Sequence, residues 1–178
     1  MTTPPTPCTL ELAHLNEPLL ECELCFTAKR DLDASMTPEE LLANCTVAAD
    51  MEVPDSRFAK WFPSLSKYLV MSDCAVGGYV VYGTPVDGAE LTVEGMAGYT
   101  GKCYHDGQLV KQGKTSEVLG NSVNSMQWLV GKLASQGKSF KRGMHASVGT
   151  VFVPPMLEAG KWVVEYDGPF GSVELTVK

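Results

Sequence analysis

Short β-type segments alternate with turn-forming residues along most of the chain, and this alternation restricts the folds that it can adopt. The apolar segments are interrupted by the pairs Asp87-Gly88 and Asp106-Gly107 and by a longer turn at residues 167–171. Asp-Gly pairs between apolar segments are typical of β-hairpin turns. Many short strands with few helices are typical of α+β folds in which strands predominate. We therefore predict an α+β, mainly β fold.

The predicted strands follow from the positions of the apolar residues and of the residues that interrupt them. One strand runs from about Leu19 to Lys29, and an apolar strand at about 47–53 ends at Pro54. An apolar, glycine-containing segment at 68–82 is interpreted as a buried strand bent near residues 77 and 78. Two hairpins are predicted, one with strands 102–104 and 108–111 and one with strands 161–166 and 172–177.

Two segments have the end signals of main helices. The first begins after Thr37, with Pro38 at the first helical position and Glu40 in place to complete a capping box. The second begins at residue 121 or 122, and its apolar residues recur at the three- and four-residue spacing of one helix face. Gly137 stands where a glycine commonly ends a helix. We therefore expect two main helices in the fold.

Length and composition indicate one domain with an acidic surface. The chain has 178 residues, and 14 basic against 21 acidic side chains give a net charge of −7. Residues 1–16 are expected to form a flexible arm and residues 17–178 a single domain. An acidic chain lacks the basic surface that nucleic acids require. No apolar segment approaches the roughly 18 residues that span a membrane and no secretory signal is present, so we expect a cytoplasmic protein without nucleic-acid or membrane partners.

The cysteines and histidines do not have the spacing of a metal or nucleophilic site. Cys22 and Cys25 form a C-x-x-C pair, but residues three apart on a strand point to opposite faces. Most of the six cysteines have apolar neighbours, which indicates reduced, buried thiols. The three histidines are scattered, and the sequence has no glycine-rich phosphate loop and no serine nucleophile motif. Carboxylate chemistry remains as the candidate.

Three glutamates in strand segments carry that candidate chemistry. Glu21 and Glu23 are two residues apart and share a face of the first strand, which can also be a solvated face. Glu52 lies inside an apolar strand, where a carboxylate is costly unless it is paired or binds a cation. Three carboxylate ligands, with the remaining coordination positions filled by water or substrate oxygens, suit Mg²⁺ or Mn²⁺. Arg57, two residues after Asp55, either orients a carboxylate or forms a structural ion pair.

These acidic positions resemble the pattern of a known family. Glu21-Cys22-Glu23, followed by Glu-Val-Pro-Asp-Ser-Arg at 52–57, resembles the E-x-E … E-x-x-D-S-R pattern of the fumarylacetoacetate hydrolase superfamily. The branch that it resembles contains the 2-keto-4-pentenoate hydratases and 4-oxalocrotonate decarboxylases. Residues 119–129 are similar to that branch's G-x-P-x-x-A-x-x-W-L helix, and residues 160–163 and 170–173 to its closing hairpin. The resemblance extends over nearly all of residues 17–178.

The resemblance implies a mixed β-sandwich roll that binds a divalent cation, Mg²⁺ or Mn²⁺. In this family the metal binds the keto or enol oxygen and the carboxylate of the substrate, and stabilises an enolate. The implied function is that of a metal-dependent lyase, of hydratase or decarboxylase type, acting on a small 2-keto or 2-hydroxy-dienoic acid. The acidic positions that match the family's metal ligands are Glu21, Glu23 and Glu52.

The resemblance also suggests residues around the metal. Asp55 and Arg57 are expected to hold the substrate carboxylate or to orient the metal ligands. The candidates for proton transfer, each of which also has a surface or structural interpretation, are Asp73, Lys60 and Lys67.

The sequence departs from the family pattern in places. Residues 73–77 read Asp-Cys-Ala-Val-Gly where the family has D-N-A-S-S, and residues 146–150 read Ala-Ser-Val-Gly-Thr where it has L-T-G-x-x-T-G.

Family members usually carry an additional N-terminal segment, so we expect a homo-oligomer that buries the side left uncovered. The alternative is a shortened, non-catalytic partner of a full-length paralogue, or a recruited enzyme with a larger secondary-metabolite substrate. The aromatic residues expected in the core or at a subunit interface are Trp61, Phe62, Trp128 and Trp162.

Overall fold

Residues 8–178, the part of the chain that the computed structural model describes, fold into two β-sheets and three α-helices. The strands are β1 (Cys8–Leu10), β2 (Glu21–Ala28), β3 (Cys45–Val53), β4 (Tyr79–Tyr82), β5 (Val86–Asp87), β6 (Thr100–His105), β7 (Gln108–Lys114), β8 (His145–Ser147), β9 (Gly160–Tyr166) and β10 (Ser172–Val177). The helices are α1 (Pro38–Ala43), α2 (Lys67–Ser72) and α3 (Ser122–Ser135). Strands predominate, which confirms the predicted α+β, mainly β class.

The two sheets enclose one apolar core. The first sheet has the strand order β1-β10-β9-β6-β7, in which only β1 and β10 are parallel neighbours among the described strands. The second sheet has the order β4-β3-β2-β8, with β5 also paired to β3. The core contains Leu24 and Phe26 from the second sheet, Val164 and Leu175 from the first, and Met126 from α3. One face of β2 therefore points into the core, which leaves its other face for the candidate site.

Local signals predicted α1, α3 and the two hairpins correctly. The Thr37 side chain accepts a hydrogen bond from the Glu40 amide, and the Glu40 side chain accepts one from the Thr37 amide, so the expected capping box is present. Asn121 caps α3 through its side chain. Gly137 follows α3 with a positive φ of 69°. The pairs β6–β7 and β9–β10 are the two expected hairpins.

The strand predicted over residues 68–82 is wrong for most of its length. Residues 67–72 form α2, residues 74–76 form a left-handed turn with positive φ, and only residues 79–82 form a strand, β4. The Ser66 hydroxyl accepts a hydrogen bond from the Tyr68 amide and starts the helix. Tyr68 and Met71 are 72% and 71% exposed, so this apolar segment lies at the protein surface and not in the core.

The start of the described chain is paired with the first sheet. Residues 8–10 of the expected arm form β1, which lies parallel to β10 in the register Cys8↔Leu175. Residues 1–7 of that arm lie outside the described residues. The extent of the single domain, 17–178, stays a prediction.

The aromatic residues divide into two groups. Trp61 and Trp162 are buried, as expected for core residues, whereas Phe62 and Trp128 are 39% and 63% exposed. A subunit interface over the exposed pair stays a prediction. Among the described helices, none has the length and apolar character needed to cross a membrane.

Candidate metal centre

The three glutamates singled out in the sequence converge in the structure. Strands β2 and β3 are antiparallel neighbours, and Glu21 lies directly opposite Glu52 in their register. Glu23 follows two residues later on the same face of β2. One carboxylate oxygen from each of the three glutamates lies within 4.8 Å of the others. The cluster is only partly open, since Glu23 is 2% exposed while Glu21 and Glu52 are half-buried.

A fourth carboxylate, that of Asp50, joins this cluster. Asp50 lies opposite Glu23 in the register of β3 and β2, and its side chain is fully buried. The Ser147 hydroxyl lies 2.7 Å from Glu23 Oε2 and also contacts Asp50 Oδ2. The Gly149 amide donates a 2.6 Å hydrogen bond to the same Glu23 oxygen. Strand β8 and the residues after it therefore orient the buried glutamate.

The hydroxyl of Ser147 has one proton and contacts two carboxyl groups. It can donate to only one of them, so the other must carry a proton and donate to the hydroxyl oxygen. Burial raises the pKa of Asp50 well above its ordinary value, and the charges of Glu23 and Glu52 raise it further, against the hydrogen bond from the Ser147 hydroxyl. Burial therefore favours a proton within this pair of carboxyl groups, which the Ser147 hydroxyl joins.

Burial and mutual repulsion raise the pKa values of the three glutamates. Burial, followed by the charges of Glu23 and Glu52, raises the pKa of Glu21 from 4.5 to about 9. Burial and the charge of Glu23 raise the pKa of Glu52 from 4.5 to about 7. Burial also raises the pKa of Glu23, against the hydrogen bonds from Ser147 and Gly149. The cluster is thus costly to ionise unless positive charge is bound there.

The donor set fits a hard divalent cation. In residues 8–178, no lysine, arginine or histidine forms an ion pair with any of these four acids. Asp50 Oδ1 is buried and has no hydrogen-bond partner within the same residues. Carboxylate oxygens are the ligands that Mg²⁺ and Mn²⁺ prefer. The residues that could hold such an ion are Glu21, Glu23 and Glu52.

Asp55 and Arg57, expected to bind substrate, are engaged in contacts that hold the loop after β3. The Asp55 carboxylate accepts hydrogen bonds of 2.9 Å from the amides of Asn16 and Glu17. Arg57 donates to the Asp73 carboxylate and to the backbone carbonyls of Asp55, Asp73 and Gly77. Both side chains therefore join distant parts of the chain, and Arg57 has most of its donors in use.

Asp73, a candidate for proton transfer, is the anionic partner of Arg57. Its carboxylate accepts hydrogen bonds from the Arg57 side chain, the Arg57 amide and the Ser56 hydroxyl. Although partial burial raises the pKa of Asp73, these hydrogen bonds outweigh it and lower the pKa overall. A carboxylate with a lowered pKa stays ionised at neutral pH and is a poor proton donor.

The remaining candidates for proton transfer, Lys60 and Lys67, lie at the surface. Both are exposed, and in the described residues neither forms a hydrogen bond or ion pair with the four acids. The Lys67 ammonium instead lies 5.3 Å from the centre of the Tyr68 ring. The structure therefore does not bring the expected proton-transfer residues to the carboxylate cluster.

Replacing Arg57 by Ala is expected to lower the melting temperature by roughly 5 °C, because several hydrogen bonds between the loop and α2 are lost. Affinity for Mn²⁺, measured by calorimetry, should stay unchanged. Arg30→Ala is the matched control, since Arg30 is exposed and its side chain forms no ion pair within residues 8–178. Loss of keto-acid binding by Arg57→Ala at unchanged stability would instead support the substrate-binding role predicted from the sequence.

The sequence interpretation missed three groups in this site. Asp50 had a usable signal, because it lies two residues before Glu52 on one strand and so shares its face. Ser147 and Gly149 had no local signal, because they are 124 and 126 residues away from Glu23 in the chain, and the pointer to them was the family motif compared with residues 146–150. Their place in the site depends on the pairing of β8 with β2, in the register Cys25↔Ser147.

Two curated relatives have sequences similar to this chain. A 4-oxalocrotonate decarboxylase from Pseudomonas sp is 26% identical over 152 residues, which is 85% of this chain and 57% of the relative. A 2-keto-4-pentenoate hydratase from Paraburkholderia xenovorans (strain LB400) is 30% identical over 139 residues, which is 76% of this chain and 49% of the relative. The chain thus spans about half the length of these relatives. No family model matches the chain.

Solved structures confirm the fold. A 4-oxalocrotonate decarboxylase from Pseudomonas putida G7, complexed with magnesium and adipate, superposes with a TM-score of 0.87 at 22% identity, covering 99% of this chain and 66% of that one. Yeast ynq8, a fumarylacetoacetate hydrolase family protein, has a TM-score of 0.68 at 16% identity, covering 99% and 72%. The two-sheet roll is therefore the fold of the fumarylacetoacetate hydrolase family. The sequence of this chain is similar to those of 2-keto-4-pentenoate hydratases and 4-oxalocrotonate decarboxylases, which confirms the resemblance predicted from the sequence.

Proposed function

We propose that this chain binds Mg²⁺ or Mn²⁺ through Glu21, Glu23 and Glu52 and acts as a lyase on a small 2-keto or 2-hydroxy-dienoic acid. The observation that carries the proposal is the convergence of the three carboxylates within 4.8 Å. The absence of a cationic side chain paired with them in residues 8–178 supports it. A cation would neutralise charge that the fold otherwise buries at high cost.

The reaction type is proposed from the relatives together with this site. Hydratases and decarboxylases differ in the bond that they break or form, but both would develop negative charge on the oxygen of a 2-keto acid, next to a cation that Glu21, Glu23 and Glu52 would hold. A bound divalent cation supplies Lewis-acid stabilisation for negative charge that develops on the oxygen of a 2-keto acid. Because the chain spans only about half of its curated relatives, the activity of the whole protein is part of the proposal.

The chain's own residues would position the ligands and hold protons. Gly149 N–H and Ser147 Oγ hold one oxygen of Glu23 in place, which leaves its other oxygen for the cation. The Ser147 hydroxyl also contacts Asp50, and the raised pKa of Asp50 favours a proton within this buried pair, so that the pair would carry one negative charge in place of two. The three-residue network thus fixes a ligand and limits the repulsion between neighbouring acids.

A second candidate function is cation binding without turnover, as in a structural partner of a complete paralogue. The surface positions of Lys60 and Lys67, and the ion pair of Asp73 with Arg57, favour this candidate. Both candidates require the metal site, and they differ only in whether a substrate is converted. The expected homo-oligomer and the complex with a full-length paralogue stay predictions under either candidate.

Titration of the protein with Mn²⁺ in the presence of a UV-absorbing short 2-hydroxydienoate separates the two candidates. A lyase should change the dienoate absorbance catalytically and only with the cation present. Glu90→Gln, at an exposed glutamate away from the cluster, is the matched control and should behave as the unaltered protein does. Cation binding without any absorbance change would favour the non-catalytic role, and failure to bind any divalent cation would refute both.

A further inference from the structure

A histidine ring lies over the face of β2 and β3 that carries the four acids, which we call the acid-bearing face. His145 lies opposite Thr27 in the register of β8 and β2. Thr27 is four residues from Glu23 on the same strand, and directly opposite residues share a face of a sheet, so His145 projects from the acid-bearing face. Its imidazole contacts the ring of Tyr82, with the two centroids 5.3 Å apart.

The contact between the two rings draws the imidazole inward from the edge of the sheet. Tyr82 is on β4, and β4 and β8 are separated by β3 and β2. Between the rings lie Cys25 and Ala48, which are opposite each other, small and buried. Glu23 and Asp50 form the next opposite pair on that face. The imidazole is therefore directed toward the two strands that hold the acids.

His145 is also close to the carboxylates along its own strand. Ser147, two residues further on β8 and on the same face, contacts Glu23 and Asp50. Two residues of a strand span roughly 7 Å. A small acid that is bound at the three glutamates would therefore have the imidazole as a neighbour.

One ring nitrogen of His145 is held and the other is free. The Nδ1 atom lies 2.8 Å from Thr27 Oγ1, which fixes the orientation of the imidazole. In the tautomer with the hydrogen on Nδ1, the Thr27 oxygen accepts that hydrogen bond and Nε2 has a lone pair. Within residues 8–178, Nε2 has no hydrogen-bond or ion-pair partner. The side chain is exposed, so a proton taken up by Nε2 can exchange with water.

This imidazole supplies what the candidates taken from the sequence do not. Asp73, Lys60 and Lys67 do not reach the carboxylate cluster, whereas imidazole is the side chain that most often transfers protons in enzymes. Of the other two histidines, His14 precedes β2 and His105 lies on β6 of the first sheet. In the part of the chain that the structure describes, His145 is thus the only histidine on the acid-bearing face.

We propose that His145 is the base that takes a proton from the carbon next to the keto group of a 2-keto acid bound at the three glutamates. The electron pair of the broken carbon–hydrogen bond forms a carbon–carbon double bond, and one pair of the carbonyl double bond moves to the keto oxygen. The products are an enolate and a protonated imidazole, and the reverse step returns a proton to the same carbon. The inference rests on the proposed function, because it takes the keto acid to bind at the glutamates.

Hydrogen–deuterium exchange in 2-oxobutanoate measures this step directly. In heavy water, the Mg²⁺-loaded protein should replace the two hydrogens next to the keto group faster than Mg²⁺ alone does, as followed by proton NMR. His145→Gln should slow the exchange by about 100-fold, the lower end of what a positioned base provides. The affinities of this variant for Mg²⁺ and for 2-oxobutanoate, measured by calorimetry, should stay unchanged.

A second measurement does not depend on turnover. The imidazole Cε1 proton of His145, identified by the absence of its NMR signal in His145→Gln, should shift when 2-oxobutanoate is added to the Mg²⁺-loaded protein. His14→Gln is the matched control, because it makes the same change at an exposed histidine outside the acid-bearing face and should leave the exchange rate as it is.

The other outcomes are distinguishable from one another. Unchanged exchange in His145→Gln would overturn the inference and leave the proposed function intact. Exchange that is lost in Tyr82→Phe but kept in His145→Gln would overturn it as well, since the step would then belong to the Tyr82 hydroxyl. Binding of 2-oxobutanoate without exchange in the unaltered protein would overturn the inference and favour the non-catalytic candidate. If 2-oxobutanoate does not bind to the Mg²⁺-loaded protein, the proposed function fails together with the inference.

Discussion

Replacing Glu23 by Gln is expected to weaken Mn²⁺ binding by roughly 100-fold, because the change removes one of three negative ligands and the one held most firmly. Glu23 is 2% exposed and accepts hydrogen bonds from Ser147 and Gly149. At a cation concentration 100 times the dissociation constant, binding stabilises the unaltered protein by about 2.7 kcal/mol. The variant should gain only about 0.4 kcal/mol at the same concentration. Calorimetry and denaturation with and without Mn²⁺ measure the two quantities independently.

The controls separate lost binding from lost structure. Glu21→Gln changes a second member of the cluster, at a half-buried position. It therefore tests Mn²⁺ binding in the same way if the buried position of Glu23 does not tolerate a glutamine side chain. Glu90→Gln makes the same chemical change at an exposed glutamate outside the cluster and should leave the affinity as it is. Unchanged Mn²⁺ affinity in both cluster variants would refute the assignment of this site as a cation site.

The metal-free protein is expected to lose stability as the pH rises from 5.5 to 8.5. The folded pKa values of Glu52 and Glu21, about 7 and about 9, lie above the ordinary value of 4.5. Carboxyl groups with raised pKa values bind more protons in the folded state than in the unfolded state. Their contribution to folding stability is therefore complete below about pH 4.5 and is lost as the pH rises through their folded-state pKa values. The shift of Glu52 alone corresponds to roughly 3 kcal/mol. Chemical denaturation in the presence of a chelator measures the change.

Two comparisons identify the carboxylates responsible. Glu52→Gln removes one of the titrating groups, so its stability should depend less on pH over the same range. Saturating Mg²⁺ should reduce the dependence as well, because a cation favours the ionised carboxylates and binds more tightly as the pH rises. A metal-free protein whose stability increases between pH 5.5 and 8.5 would contradict the burial of the cluster.

The strength of a local signal decided how well the sequence predicted each element. The capping box of Thr37 and Glu40 and the Asp106-Gly107 turn depend on residues within a few positions of one another, and both are present. The segment at 68–82 is apolar in composition but forms α2, a left-handed turn and β4. Apolar composition alone could not decide this, because short apolar segments fit a helix or a strand and tertiary contacts choose between them.

The candidate metal site was predicted only in part, because only some of its residues have a local signal in the sequence. Alternation along a strand is a local rule, so it placed Glu21 and Glu23 on one face from the sequence alone. Glu52 was singled out as a carboxylate inside an apolar strand and also matched the family pattern, and the cluster contains all three glutamates. Asp73 and Arg57 matched the family pattern too, but they pair with each other, since the loop after β3 folds back on the end of α2.

The sequence by itself determined the mainly β class, the capped helices, the hairpins and the faces on which the glutamates lie, because each depends on neighbouring residues. Only the tertiary structure decided that Glu21 lies opposite Glu52 and that Ser147 joins Glu23 to Asp50. Those contacts depend on strand register. A slip of one residue between strands would move every side chain to the other face, and no short stretch of sequence specifies the register.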